Sequence, residues 1–197
     1  KVTYTNTGYG NALAIKGAHK LDGAHIVLDN INVTGGYGFA ITLSGNEDAP
    51  GDYVGGANAI ILFEFNKGRI REYPGSGGAV ILTSDLLLTE NVQSGLEIRF
   101  VNENGQWYIC IKTDMGEAKA AISATAMNAT SLTDKNAVYF ALASRSDGFN
   151  ATMDLVSFHG GETACKTDKL LSDMDDAAEA DKVDVLINAI GTVTLDS

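Results

Sequence analysis

Two segments with alternating side-chain character, within residues 96–113, flank the dipeptide Asn104-Gly105. This dipeptide favours the left-handed backbone angles of a type I′ turn, so the pattern predicts a β-hairpin with a two-residue loop. In that register Phe100 lies opposite Ile109 on the partner strand. Because side chains on a strand point to alternate faces, the hairpin has one apolar face and one polar face.

The two faces of this hairpin predict different roles. The apolar face is expected in the protein core and consists of Ile98, Phe100, Trp107, Ile109 and Ile111. The other face carries charges and one aromatic ring, on Glu97, Arg99, Val101, Tyr108, Cys110 and Lys112. A sheet surface of this composition is either solvated or in contact with a ligand.

Similar short segments follow one another over residues 12–159 and are separated by clusters of turn residues such as residues 75–78. About ten short strands without intervening helices predict an all-β fold, an antiparallel β-sandwich or barrel. We therefore expect a β-sandwich domain over residues 1–165 and an acidic extension over residues 166–197.

The extension carries helix signals. Asp175-Asp176 is expected to cap a helix that runs to Ile190, and Gly191 is typical of a helix end. A single helix is marginal alone, so we expect it to pack against the sandwich or an absent neighbour, as a linker or the start of another domain.

Composition narrows the choice of partners. The chain has 197 residues and a net charge of −11. Nucleic acids and anionic membranes attract clusters of Lys and Arg, so neither is an expected partner.

No apolar run approaches the ~20 residues that span a bilayer. There is no initiator Met and no basic-then-apolar leader, so we expect an excised or processed fragment from which a signal peptide has been removed. Cys110 and Cys165 form either one disulfide or two free thiols.

Five segments resemble, in order, the strands of the concanavalin A-like (laminin G-like) jelly roll: GYGFAITLSG, AIILFEFNKGRIREY, LEIRFVNENGQWYICIKT, AVYFALASRSDG and ATMDLVSFHG. The resemblance covers residues 12–160. It implies the fold of a superfamily that includes lectins, carbohydrate-binding modules, glycoside hydrolases and adhesion domains. The terminal VDVLINAIGTVTLDS resembles a linker-and-helix segment of large extracellular proteins of Gram-positive bacteria. That resemblance implies an extracellular or cell-surface parent with neighbouring domains.

A hydrolase of this superfamily needs a pair of carboxylates across the scissile bond. Its endoglucanases usually place them on one strand as Glu-x-Asp-x-x-Glu, and no strand here has that spacing. Glu97 is followed by Arg99, while Glu64, Glu72 and Asp154 stand alone on their segments. The sequence therefore favours a protein that is not an enzyme, with a hydrolase built from dispersed carboxylates as a third alternative.

A sugar binder needs aromatic rings and a few polar side chains. The strand candidates are Arg99, Tyr108 and Lys112 on the hairpin, with Tyr139 and Arg145 on a later strand expected to face the same way. Ala141 and Ala143 between the last two would leave a trough. Alternatively, the two tyrosines cover the sheet under a loop or the C-terminal helix.

Three further aromatic residues are candidates for stacking on a sugar. Trp107 lies near the hairpin tip and belongs either to the rim of the core or to a ligand site. Tyr53 and Tyr73 lie in Gly-rich segments. An exposed aromatic ring in such a loop contributes little to core packing, so each is a candidate for contact with a ligand.

No cofactor is predicted apart from a structural calcium, an ion that many domains of the superfamily hold. Its candidate ligands are Glu47, Asp48 and Asp52, because calcium prefers oxygen clusters; the alternative is a solvated acidic loop.

The sequence thus predicts a non-catalytic carbohydrate-binding module of a secreted or surface bacterial protein. Its partner is a polysaccharide or oligosaccharide, with a starch-like or other plant glucan as the first guess. The alternative is a protein-binding adhesion or spacer domain.

Overall fold

The computed structural model describes residues 1–8, 10–36, 38–48, 57–73, 78–87 and 92–161, together with the strands Val183–Leu186 and Thr192–Leu195. Within these residues, one eight-stranded and one seven-stranded antiparallel sheet form a sandwich. The predicted all-β fold is confirmed.

The strands, in chain order, are β1 (Val2–Thr7), β2 (Ala12–Ile15), β3 (His25–Gly35), β4 (Phe39–Ser44), β5 (Ala59–Glu64), β6 (Arg69–Tyr73), β7 (Ala79–Thr83), β8 (Val92–Gln93), β9 (Leu96–Glu103), β10 (Gln106–Thr113), β11 (Gly116–Ile122), β12 (Tyr139–Ser144), β13 (Phe149–His159), β14 (Val183–Leu186) and β15 (Thr192–Leu195). One short helix, α1 (Ala124–Met127), and two 3-10 turns (Phe65–Lys67 and Asp85–Leu87) complete the described elements. None of the described helices is long and apolar enough to cross a bilayer.

The larger sheet, here called the hairpin sheet, has the order β11-β10-β9-β3-β13-β1-β15, with β8 paired to β3. The other sheet, here called the second sheet, has the order β14-β2-β12-β4-β5-β6-β7. Along the chain, β1, β3 and β13 of the hairpin sheet alternate with β2, β4 and β12 of the second sheet. This repeated crossing between two layers is of the jelly-roll kind.

The hairpin β9–β10 forms in the predicted register. Phe100 is paired with Ile109, and the turn residues Asn104 and Gly105 have φ values of 53° and 89°. Both turn residues thus adopt the left-handed conformation that a type I′ turn requires. The strand β11 then pairs with β10 and extends the same surface by one strand.

Apolar side chains from both sheets fill the space between them. Phe39 and Phe63 stack with ring centroids 5.1 Å apart, and Tyr4 meets the edge of Phe149 at 5.2 Å. The buried Tyr4 hydroxyl donates a hydrogen bond of 2.7 Å to the Leu142 carbonyl. This bond joins the hairpin sheet to the second sheet, and burial raises the pKa of the Tyr4 hydroxyl.

The predicted C-terminal helix is wrong where its residues are described. Val183–Leu186 is the strand β14, paired with β2, and Thr192–Leu195 is the strand β15, paired with β1. The sequences VDVL and TVTL alternate with the strand period and are rich in β-branched residues, which favour strands. The remaining residues of the predicted helix, and Cys165, lie outside the described residues. The position of the domain boundary stays a prediction.

We predict that Tyr4→Phe lowers the free energy of unfolding by about 1 kcal/mol, because the Leu142 carbonyl loses a buried donor. Urea denaturation followed by circular dichroism measures the change. Tyr108→Phe, whose ring lies at the surface of the hairpin sheet, is the matched control and is expected to unfold like the native chain. Equal stability of Tyr4→Phe and the native chain would show that this inter-sheet bond is not stabilising.

Candidate functional site

The outer surface of the hairpin sheet carries two rows of ionisable side chains that run across neighbouring strands. The pairing of β11, β10, β9 and β3 places Lys119, Cys110, Arg99 and His25 in one row. The adjacent row contains Glu117, Lys112 and Glu97. We call these seven residues and Tyr108 the charged face.

A trough of about 590 Å³ lies across this surface. It is lined by Glu97, Arg99, Val101, Cys110, Ile111, Lys112, Glu117, Ala118 and Lys119. Three of the lining side chains are cationic and two are carboxylates, so the trough has many hydrogen-bond donors and acceptors. Arg99 and Lys112, which were predicted to share one exposed face, do share it.

The Glu97 carboxylate lies at the centre of three basic groups. Arg99 Nη2 is 3.8 Å away, Lys112 Nζ is 3.6 Å away and His25 Nε2 is 3.4 Å away. These contacts are longer than direct charge-assisted hydrogen bonds, which measure about 2.7–2.9 Å. Exposed pairs of this kind contribute little to stability. Their main effect is to set the distribution of charge on this surface.

His25 is the least exposed basic side chain of the charged face. Burial lowers its pKa, the neighbouring Arg99 lowers it further, and Glu97 partly opposes both effects. The imidazole is therefore neutral at pH 7, where even an unperturbed histidine is mostly deprotonated.

Lys119 covers one face of the Tyr108 ring. Its Nζ lies 4.1 Å from the ring centroid, a cation–π contact, and 2.6 Å from Glu103 Oε2. The hydrogen bond to Glu103 raises the pKa of Lys119. A sugar that stacks on Tyr108 must use the other ring face or displace the ammonium group.

Cys110 lies in register between Arg99 and Lys119 and is partly buried. Burial is the main effect that raises the pKa of its thiol, so the group is protonated and uncharged at pH 7. Whether it pairs with Cys165 stays an open prediction.

The expectation that Tyr139 and Arg145 face the same way as the hairpin residues is wrong. Tyr139 begins β12, which pairs with β2 and β4 in the second sheet. Ala141, Ala143 and Arg145 are 1%, 0% and 4% exposed, so they do not form an open trough beside Tyr139. The strand lies in the other layer because the chain crosses between sheets after α1, and no local pattern encodes that crossing.

The other predicted aromatic residues are dispersed. Trp107 is partly buried and packs against the core, as its parity on the strand indicates. Tyr73 packs against the apolar cluster of Ile60 and Leu62, with the Arg71 guanidinium 5.6 Å from its ring centroid. Tyr53 lies outside the described residues.

Gly78 lies directly against the Tyr73 ring. A Cβ atom at Gly78 would come within 2.4 Å of that ring, and the φ of this residue is +65°. Both the close approach and the left-handed backbone require glycine at this position. Tyr73 is therefore held in place by its surroundings rather than standing free for stacking.

Two of the three proposed calcium ligands, Glu47 and Asp48, lie among the residues that the structure describes. Glu47 and Asp48 are exposed, and the Asp48 amide donates to Asn46 Oδ1 at 3.0 Å within a turn. No group of three His, Cys, Asp or Glu side chains suited to a metal occurs among the described residues. Asp52 lies outside them, and the calcium site stays a prediction.

Among the described residues, the two most buried carboxylates lie on opposite sides of the second sheet. Glu64 is ion-paired with Arg69 and is in register with it across β5 and β6. Glu72 is in register with the core residue Ile61 and accepts the Ser123 amide at 2.8 Å. Because they occupy different faces, these two acids do not meet across one groove.

The sequence did not single out Glu117, Lys119 and His25 as site residues. The alternation of Glu117, Lys119 and Ala121 with Ala118, Ala120 and Ile122 is the signal for β11. It follows the short turn after β10 and extends the polar face of the hairpin.

The sequence matches no known family model and no curated protein. Among solved structures, the chain is similar to the carbohydrate-binding module CBM66 from Bacillus subtilis, with a TM-score of 0.40, 11% identity, and coverage of 80% of this chain and 97% of that one. It is also similar to the VIP36 exoplasmic/lumenal domain in its Ca2+/Man2-bound form, with a TM-score of 0.37, 10% identity, and coverage of 96% and 89%. The function is therefore inferred from the residues of this chain.

We predict that the stability of the native chain falls as the pH drops from 7 towards 5, in part through His25. Its folded pKa is lowered, so the unfolded chain takes up the proton first below about pH 6.5, and protonation favours unfolding. In His25→Gln this part of the pH dependence is lost. Urea denaturation at several pH values measures it, and NMR titration of the imidazole checks the pKa directly. Parallel pH curves for the two proteins would contradict the assignment.

Proposed function

We propose that this chain is a non-catalytic carbohydrate-binding module that holds a polysaccharide or oligosaccharide on the charged face. The observation that supports it most is the open trough of about 590 Å³ lined by both donors and acceptors. The resemblance of the strand segments to the concanavalin A-like superfamily points to the same class of ligand.

The chemistry of the charged face suits sugar hydroxyls, which both donate and accept hydrogen bonds. Glu97 and Glu117 offer acceptors, while the Arg99 and Lys112 side chains offer donors. Tyr108 lies two residues before Cys110 on the same face of β10 and provides an aromatic ring on the charged face. In small-molecule sites, placed polar groups of this kind fix the orientation of the ligand.

The biological setting proposed from the sequence is a secreted or cell-surface bacterial protein with further domains. In that setting the module keeps the parent protein close to a polysaccharide. A starch-like or other plant glucan is the first ligand to test.

We predict that a soluble glycan binds the chain and that Tyr108→Ala weakens binding roughly tenfold, the effect of losing about 1.4 kcal/mol of ring contact. Isothermal titration against a panel that includes soluble starch, xylan, mannan and pectin measures the affinity. Tyr139→Ala, on the second sheet, is the matched control and should bind as the native chain does. Absence of heat with every glycan, or loss of binding in Tyr139→Ala alone, would contradict the proposal.

The hydrolase alternative has one candidate pair of carboxylates on the charged face. Glu97 and Glu117 both line the trough, on β9 and β11, with Lys112 between them in register. If they acted as a catalytic pair, the chain would release reducing sugar from a bound glycan, and Glu97→Gln and Glu117→Gln would abolish the release. We expect no release from the native chain.

The adhesion alternative depends on a different surface. The strand β7 lies at the edge of the second sheet in the described residues, and its Val80 is 48% exposed. An apolar edge strand can pair with another chain. Self-association that Val80→Lys abolishes, in a protein that binds no glycan, would favour this alternative.

A further inference from the structure

We infer that the sugar held on the charged face carries an acidic group, the carboxylate of a uronic acid or a sulfate ester. The inference rests on the proposed function and names the chemical class of its ligand. It departs from the neutral glucan that the sequence led us to expect first.

The trough differs in charge from the rest of the chain. The whole protein has 14 Lys and Arg against 25 Asp and Glu, whereas the trough is lined by three cations and two carboxylates. Lys119 is also paired with Glu103, so the cations and carboxylates of this surface balance. On a protein with a net charge of −11, a surface without net negative charge is where an anionic ligand is least repelled.

Arg99 and Lys112 have N–H donors that their contacts with Glu97 do not use. The side chains of Arg99 and Lys112 are 53% and 55% exposed, and their contacts with Glu97 are 3.8 Å and 3.6 Å long. An arginine side chain has five N–H donors and a lysine has three. Contacts of this length leave most of those donors directed to solvent, where a ligand oxygen can accept from them.

Cys110 is a lining residue of the trough and lies in register between two basic residues. Arg99 is its neighbour on β9 and Lys119 is its neighbour on β11. Side chains directly opposite each other on paired strands have Cβ atoms about 4.5–5.5 Å apart, and diagonal neighbours such as Arg99 and Lys112 are about 7–8 Å apart. The long side chains of Arg99 and Lys112 can therefore converge on one acidic group of a ligand.

The thiol itself does not oppose an anion, since its raised pKa keeps it protonated at pH 7. Tyr108 is less suited to a ligand that depends on stacking, because Lys119 covers one face of its ring. Charge-assisted hydrogen bonds to an acidic group, which are stronger than those to a neutral hydroxyl, are thus the main interaction that this surface offers.

The test compares sugars that share one backbone and differ in whether the acidic group is free or esterified. Oligogalacturonate and its methyl ester have the same sugar and linkage, but the ester has no carboxylate. We expect the acid to bind at least about tenfold more tightly than the ester by isothermal titration, and added salt to weaken the acid alone, because salt screens exposed charges. Sulfated galactan oligosaccharides form the second arm; binding there without binding of oligogalacturonate would assign the acidic group to a sulfate and support the inference.

Variants locate the interaction. Arg99→Gln/Lys112→Gln should lose at least about tenfold in affinity for the acidic sugar and retain its fold, because exposed ion pairs contribute little to stability. Lys16→Gln/Lys20→Gln removes the same charge outside the charged face and should bind as the native chain does. Equal loss in both variants would overturn the inference.

Two outcomes separate this inference from the proposed function. If oligogalacturonate and its ester bind equally, or if only neutral glucans bind, the chain is a glycan binder and the acidic ligand is refuted. If no neutral, carboxylated or sulfated glycan binds, the proposed function fails as well.

Discussion

The two-residue turn at Asn104-Gly105 determines which side chains of the hairpin face the core and which face solvent. A slip of one residue would exchange the two sets, placing Arg99 and Lys112 in the core and Phe100 and Ile109 in water. Burying those charges would cost free energy, and this cost keeps the two strands in the observed register. The next strand inherits it through pairing with β10, so the positions of Lys119 and Glu117 depend on the same turn.

The same alternation explains why the hairpin sheet, and not the second sheet, carries the candidate site. On β9, β10 and β11 every second residue is at least partly exposed, and most of these residues are polar. On β4 and β5 all the residues are buried, including Thr42 and Glu64. A strand that is buried on both faces contributes to packing, whereas one that is open on one face can also bind.

Sequence patterns predicted well what depends on neighbours in the chain, and less well what depends on distant pairing. The hairpin register and the core position of Trp107 follow from the turn and from strand parity. The sheet that Tyr139 joins depends on a crossover between layers, which alternation does not encode. Val183–Leu186 shows a related error, since its apolar residues fit the spacing of a helix stripe, and only pairing with β2 shows that it is a strand.

The charge of the candidate site also depends on distant pairing. On the isolated hairpin, Arg99 and Lys112 are offset by Glu97, and the surface resembles many solvated sheet faces. Pairing with β11 adds Lys119 and Glu117, while pairing with β3 brings His25 to the other side of Arg99. Lys119 is engaged by Glu103 at the hairpin tip, whereas Arg99 and Lys112 share the single carboxylate of Glu97. One carboxylate between two well-exposed cations leaves both with unused donors, and an acidic group on a ligand would supply the second acceptor.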